Sequence, residues 1–259
     1  MTTDRTDDSL LGGRVALWQP RAGYRVSIDA VLLAAAVAPR AGERILDAGS
    51  GVGAVGLCLL ARAGDTPFEI VGIEAQVEYA ALARENIARN GAWGRYTVVE
   101  GDLARPPVAL LERPFDQVMS NPPYLDTGAG TPSPDDATDM ANRESALDLA
   151  GWIDRCLARL RSRGTITLVQ RADRLPAVLA ALDGKTGEIT VLPLWPGAGE
   201  PARRVIVRAR KGVAGPATLL PGLALHGGPG KYSAEAEAIL RDAAALDLSS
   251  WDRRRPAGS

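Results

Sequence analysis

The 259-residue sequence predicts an α/β fold built on a doubly wound, mostly parallel sheet of seven strands, the last antiparallel. Three features carry this expectation. Short apolar runs alternate with longer helical patterns five times, the signature of successive β–α–β units. The runs are nearly continuous in Val, Ile and Leu, as strands covered on both faces require. Two more runs then follow with no helix between them, which reads as an antiparallel closing pair.

Taken in order, residues 28–38 (IDAVLLAAAVA) read as a helix over one edge of the sheet and make the first 40 residues an N-terminal helical extension. RILDAG (44–49) is the first buried strand, followed by a glycine turn and a helix from residue 54. EIVGIEA (69–75) is the second strand, and the helix after it ends at Gly91. YTVVEGD (96–102) and FDQVMSN (115–121) are the third and fourth. A helix over 145–164 stops at Gly164 and leads into TITLVQR, the fifth. A helix near 173–183 precedes the closing pair, GEITVLPLW and ARRVIVRARK. Residues 41–212 thus form the core, and 213–259 a C-terminal appendage with a short final helix. The stretch 125–142 is rich in Gly, Pro, Asp and Thr without periodicity, as lids and binding loops are.

Composition bounds the function. The chain is 46% hydrophobic and 24% charged, enough to build a sizeable core. No apolar run reaches the roughly 20 residues of a membrane-spanning helix, and the polar N-terminus MTTDRTDDSL has no secretory core. A cytoplasmic protein, monomeric and without a membrane partner, is expected. Cys58 and Cys156 lie far apart in apolar or helical surroundings and read as reduced, buried thiols. With a single histidine and no cysteine pair, no metal site is expected. The net charge of −1 hides an asymmetry: residues 1–154 carry 13 Lys and Arg against 22 Asp and Glu, and residues 155–259 carry 17 against 9. The back half has the sign that suits a polyanion; solvated surface charge explains it equally well.

In doubly wound sheets ligands bind beyond the carboxyl ends of the strands, and this is where the informative residues stand. The first strand runs into Asp47-Ala48-Gly49-Ser50-Gly51-Val52-Gly53, a turn open to close approach by a cofactor. Glu74 ends the second strand, able to accept from both hydroxyls of a ribose; Asp102 ends the third, placed for an adenine amino group. Asn121-Pro122-Pro123-Tyr124 ends the fourth. The glycines alone also fit a dinucleotide fingerprint, which would mean NAD. Asp47 opposes that reading, because a carboxylate there repels a pyrophosphate and suits a cofactor with sulfonium and ammonium groups. Asn121 and the Pro122 carbonyl can each accept one N–H of a planar nitrogen, holding a poor nucleophile toward a methyl donor, and Tyr124 offers a face for a flat base.

With those residues on the page the resemblance is plain: the chain is similar to class I S-adenosylmethionine-dependent methyltransferases of the amino-methylating type, over roughly residues 40–210. The segment WQPRAGYRVSIDAVLLAA and the run Asn142-Arg143-Glu144 narrow it to the bacterial family that methylates N6 of an adenine in the anticodon loop of a valine tRNA. The resemblance implies a seven-stranded Rossmann-like sheet and S-adenosyl-L-methionine as cofactor. It implies a donor site lined by Asp47, Gly49, Gly51, Gly53, Glu74, Asp102 and Leu103, with Asn121, Pro122, Pro123 and Tyr124 at the target amine and Asn121 touching both. It also implies that residues 24–29 lie beside the donor's methionine end. The chain departs from that family in being slightly acidic, which bears on the RNA substrate more than on the chemistry.

The alternatives are a protein-glutamine N5 methyltransferase, an rRNA guanine-N2 methyltransferase and a non-catalytic RNA-binding protein on the same fold. The first usually carries a separate N-terminal helical domain, for which about 40 residues leave no room. Arg203, Arg204, Arg208 and Arg210 read as a basic stripe on an edge strand, His226 as a loop residue, and Arg253-Arg254-Arg255 as a solvated tail.

Overall fold

The structure is a computed structural model that describes residues 5–22, 25–123, 147–228 and 230–248. A hairpin opens the chain: β1 (Arg5–Leu10) and β2 (Val15–Pro20), antiparallel, join through a single 3-10 turn. Then follow α1 (Ile28–Ala36), β3 (Arg44–Ala48), α2 (Ala54–Ala63), β4 (Glu69–Glu74), α3 (Val77–Arg89), β5 (Tyr96–Glu100) and β6 (Phe115–Ser120). The second half runs through α4 (Leu149–Arg159), β7 (Leu160–Arg171), α5 (Leu175–Leu182), β8 (Thr186–Trp195) and β9 (Arg204–Lys211). Four two- or three-residue strands, β10 (Thr218–Leu219), β11 (Leu223–Ala224), β12 (His226–Gly228) and β13 (Lys231–Tyr232), lead to α6 (Ala234–Asp242).

The central sheet has the order β10-β8-β9-β7-β6-β3-β4-β5, with β11 also on β8. Neighbours from β5 to β7 are parallel, and β9 is antiparallel to both β7 and β8. The seven expected strands are therefore joined by two short ones, making nine. A two-residue strand has no alternation for a sequence to show.

Residues alternate across the sheet as the pleat requires. Ile45 faces the core under α1, α2 and α3, while Leu46 and Ala48 face the one under α4 and α5. Cys58 and Cys156 lie in opposite cores, both free and buried, and burial pushes the Cys58 thiol up to about 12.

Four sequence expectations need correction. The N-terminal extension holds a hairpin as well as the helix. The unpaired edge of β2 docks on two asparagines at or beside the end of α3: Asn86 accepts from Trp18 N (2.8 Å) and donates to Trp18 O (2.9 Å), and Asn90 does the same for Ala16 (2.9 and 2.7 Å). Four residues of helix rise about 6 Å and two of strand about 6.6 Å, so the side-chain amides stand in for a neighbouring strand. Next, α1 is buried along its length and packs against α2 over the sheet face, not at an edge. Third, the helix before β7 ends at Arg159, because Leu160 already pairs with Phe115 and is buried. Strand β9 also lies inside the sheet, so its arginines are not on an edge.

Candidate functional site

The carboxyl ends of β3, β4, β5 and β6 meet on one rim. Across the β3–β6 ladder Ala48 pairs with Ser120, so the next residues, Gly49 and Asn121, emerge side by side. Gly49, Gly51 and Gly53 have φ of 73°, 53° and 86°, the left-handed region that favours glycine. The turn is pinned from below by Gly49 N and Ser50 N, both donating to Ile73 O at 3.0 Å. A side chain at Gly51 would meet nothing within 4 Å, so the loop faces open space there.

Glu74 braces this loop. Its Oε2 accepts from Gly51 N (2.8 Å) and its Oε1 from Gln76 N (2.9 Å). A carboxylate has about four acceptor positions, so one on each oxygen remains for a ligand's hydroxyls. Burial raises its proton affinity, and the backbone N–H groups of Gln76, Gly51 and Ala75 oppose that rise. Asp102 takes Ala104 N on Oδ1 (2.8 Å), which sets the turn after β5, and Leu103 beside it is buried.

Asp47 is 1% exposed, and its Oδ2 accepts the Tyr96 hydroxyl at 2.8 Å. Burial pushes its carboxyl up to about 7, against the pull of that hydrogen bond. It supports the loop from within the core and adds to the acidic surroundings. The ring of Tyr96 presses on α2 so closely that a Cβ at Gly56 would sit 2.3 Å from it, which is why this helix position has no side chain.

On the β6 side, Asn121 Oδ1 is buried at the strand end, Pro122 is buried and Pro123 exposed. Tyr124, the 125–142 loop, the Asn142-Arg143-Glu144 run and the Arg253-Arg254-Arg255 tail lie outside the described residues.

The set suits a cationic donor better than a dinucleotide: Glu74 holds the open turn and Asp102 ends the neighbouring strand, so a pyrophosphate would meet like charge. The family model of the methyltransferase small domain matches residues 24–140. A tRNA1(Val) (adenine(37)-N6)-methyltransferase of Bacteroides thetaiotaomicron is 31% identical over 61% of this chain and 64% of its own length. Its namesake in Aeromonas hydrophila is 29% identical over 74% and 79%. A solved structure from Agrobacterium tumefaciens, described as a predicted O-methyltransferase, superposes with a TM-score of 0.69 at 28% identity, over 85% of this chain and 98% of that one. The chain is similar to class I S-adenosylmethionine-dependent methyltransferases.

Several residues of this rim have no sequence signal. Trp152, on α4, donates its indole N–H to Ser120 Oγ (3.0 Å), which itself donates to Ala48 O (2.7 Å). Its ring lies against Gly49, where a Cβ would sit 3.1 Å away. Trp152 thus ties the glycine turn to the strand that carries Asn121. Asn86 reaches the turn from the other side through Val52 O (3.0 Å), and Tyr96 holds Asp47. The arginines of β9 are partly neutralised: Arg204 pairs with Asp29 at 3.1 Å and Arg210 with Glu188 at 2.8 Å.

Proposed function

We propose that this chain methylates N6 of an adenine in tRNA, using Asn121 and Pro122 to hold the amine beside the donor turn. The supporting observation is the β3–β6 ladder, which sets Gly49 and Asn121 on adjacent strand ends, about 4.8 Å apart by strand spacing. Bound S-adenosylmethionine supplies an electrophilic methyl on a sulfonium. Glu74 accepts from the donor's ribose with its remaining lone pairs, and Asp102 accepts from its adenine, with Leu103 packed alongside. Gly49, Gly51 and Gly53 leave room for close approach, and Asp47 supports the turn from within the core.

The lone pair of an exocyclic amine is delocalised into the base, so the nitrogen attacks poorly. The Asn121 side-chain oxygen and the Pro122 carbonyl each accept one N–H, which orients that lone pair and stabilises the positive charge that grows on nitrogen. Pro123 stiffens the turn, and Tyr124 stacks on the base. As the nitrogen gains the methyl it loses a proton to solvent, so no strong general base is required. The relatives named for adenine-37 of tRNA1(Val) support the choice of substrate.

The test is nucleoside mass spectrometry after incubation of unmodified tRNA with donor and protein. N6-methyladenosine is expected. Methylated guanine, or methyl on a protein glutamine instead, would assign the chain to a different acceptor, and no donor binding at high micromolar concentration would end the reading.

A further inference from the structure

We propose that the hairpin of residues 226–232, with Arg203, forms an RNA-docking wall on the rim that carries Asn121, taking a base on the His226–Tyr232 ring pair and phosphates on Arg203 and Lys231. This deepens, and rests on, the tRNA reading above.

The first support is position. Strand β11 pairs in parallel with the last residues of β8, Leu223 with Leu194 and Ala224 with Trp195. Leu225 N donates to Trp195 O (2.7 Å) and His226 N to Pro196 O (2.9 Å). The hairpin therefore begins where β8 ends, at the same rim as the end of β6. From β6 through β7, β9 and β8 to the β11 line that carries His226 is four ladder steps, about 19 Å at strand spacing. A few nucleotides of single strand span that.

The second support is the surface itself. The rings of His226 and Tyr232 stack at 5.1 Å with 13° between planes, and His226 is exposed, so its outer face is open to a base. Three glycines, Gly227, Gly228 and Gly230, stand between the rings, and a Cβ at Gly228 or Gly230 would meet nothing within 4 Å.

The third is charge. Arg204 and Arg210 of β9 are bound to carboxylates, whereas Arg203 and Lys231 are exposed and make no ion pair among the described residues. Glu200 is a carboxylate that opposes the wall. It is exposed and lies against Gly197, near the root of the hairpin. Its removal should strengthen RNA binding, an effect that a purely structural hairpin does not produce.

The experiment titrates an unmodified tRNA transcript against wild type, the double variant Arg203→Glu/Lys231→Glu, His226→Ala and Glu200→Gln at several salt concentrations, with methyl transfer and donor binding measured in parallel. All four positions are exposed, and unchanged donor affinity reports that each variant is folded. The double variant should weaken RNA affinity at least tenfold near 0.1 M salt and lower the salt slope by about two. His226→Ala should weaken it severalfold and Glu200→Gln should tighten it, with turnover at saturating RNA unchanged. A wild type that methylates tRNA, with variants that bind it equally well, overturns the wall alone. A wild type that neither binds nor methylates RNA overturns the tRNA reading and the wall together.

Discussion

The two halves of the rim are built on opposite plans. At the ends of β3, β4 and β5 the polar groups are already engaged by the chain: Glu74 holds Gly51 and Gln76, Asp102 holds Ala104, and Asp47 holds Tyr96. At the ends of β6, β7 and β8 and the start of β9 stand an asparagine followed by two prolines, a stacked ring pair and exposed cations. The acidic front half of the chain supplies the first region and the basic back half the hairpin wall of the second. In the proposed reading a small cationic donor meets groups already held by the chain, whereas a large polyanion meets groups that point outward. Trp152 joins the two, touching Gly49 with its ring and Ser120 with its N–H.

That contrast can be broken from either side. The largest effect belongs to Asn121→Ala, expected to lower turnover by roughly a hundredfold or more, the scale of losing one transition-state partner. Donor affinity, read by calorimetric titration, should stay within about twofold; a large loss there would move Asn121 to the donor side.

Glu74→Gln acts on the other region. It places an amide N–H against Gly51 N or Gln76 N, and a lost charge-assisted hydrogen bond costs about 1.5–3 kcal/mol. Donor affinity should fall roughly tenfold to a hundredfold, with turnover at saturating donor little changed. Equal loss in both would erase the distinction.

Trp152→Phe keeps a ring over Gly49 and removes one hydrogen bond to Ser120, worth about 1 kcal/mol. A loss of about fivefold is expected, spread over donor affinity and turnover, since the residue serves both halves.

The smallest effect is on stability. Asp47 binds its proton more tightly folded, at about 7, than unfolded, near the 3.8 of an ordinary aspartate. The stability this gives is full below about pH 4 and is lost as pH rises through about 7. Asp47→Asn should flatten that decline, so the gap between variant and wild-type melting temperatures should shift by several degrees between pH 5 and 8. A constant gap would mean that Asp47 does not titrate there.

Much of this was legible in the amino acids. The five β–α units announce themselves because strands covered on both faces must be continuously apolar. Asp47, Gly49, Glu74, Asp102 and Asn121 could be found because each stands at the end of such a run. The β1–β2 hairpin could not. Its outer strand reads RTDDSL, and the partners of β2's free edge, Asn86 and Asn90, lie some seventy residues on. The end of the helix before β7 is hidden for a similar reason: Leu160 keeps the helical period but is claimed by Phe115. Trp152, Tyr96 and Asn86 gave no local sign, since each matters only through a contact across the sheet or between helix and loop.

By itself, then, the chain determined its layers, its glycine turn and the order of its strand-end groups, because these follow from local periodicity and backbone freedom. The tertiary structure alone decided which ends are neighbours. Strand β3 lies between β4 and β6, although β6 comes some seventy residues later, so Gly49 and Asn121 share a rim. That adjacency comes from burying the apolar faces of distant segments together, a choice that no single stretch of sequence makes.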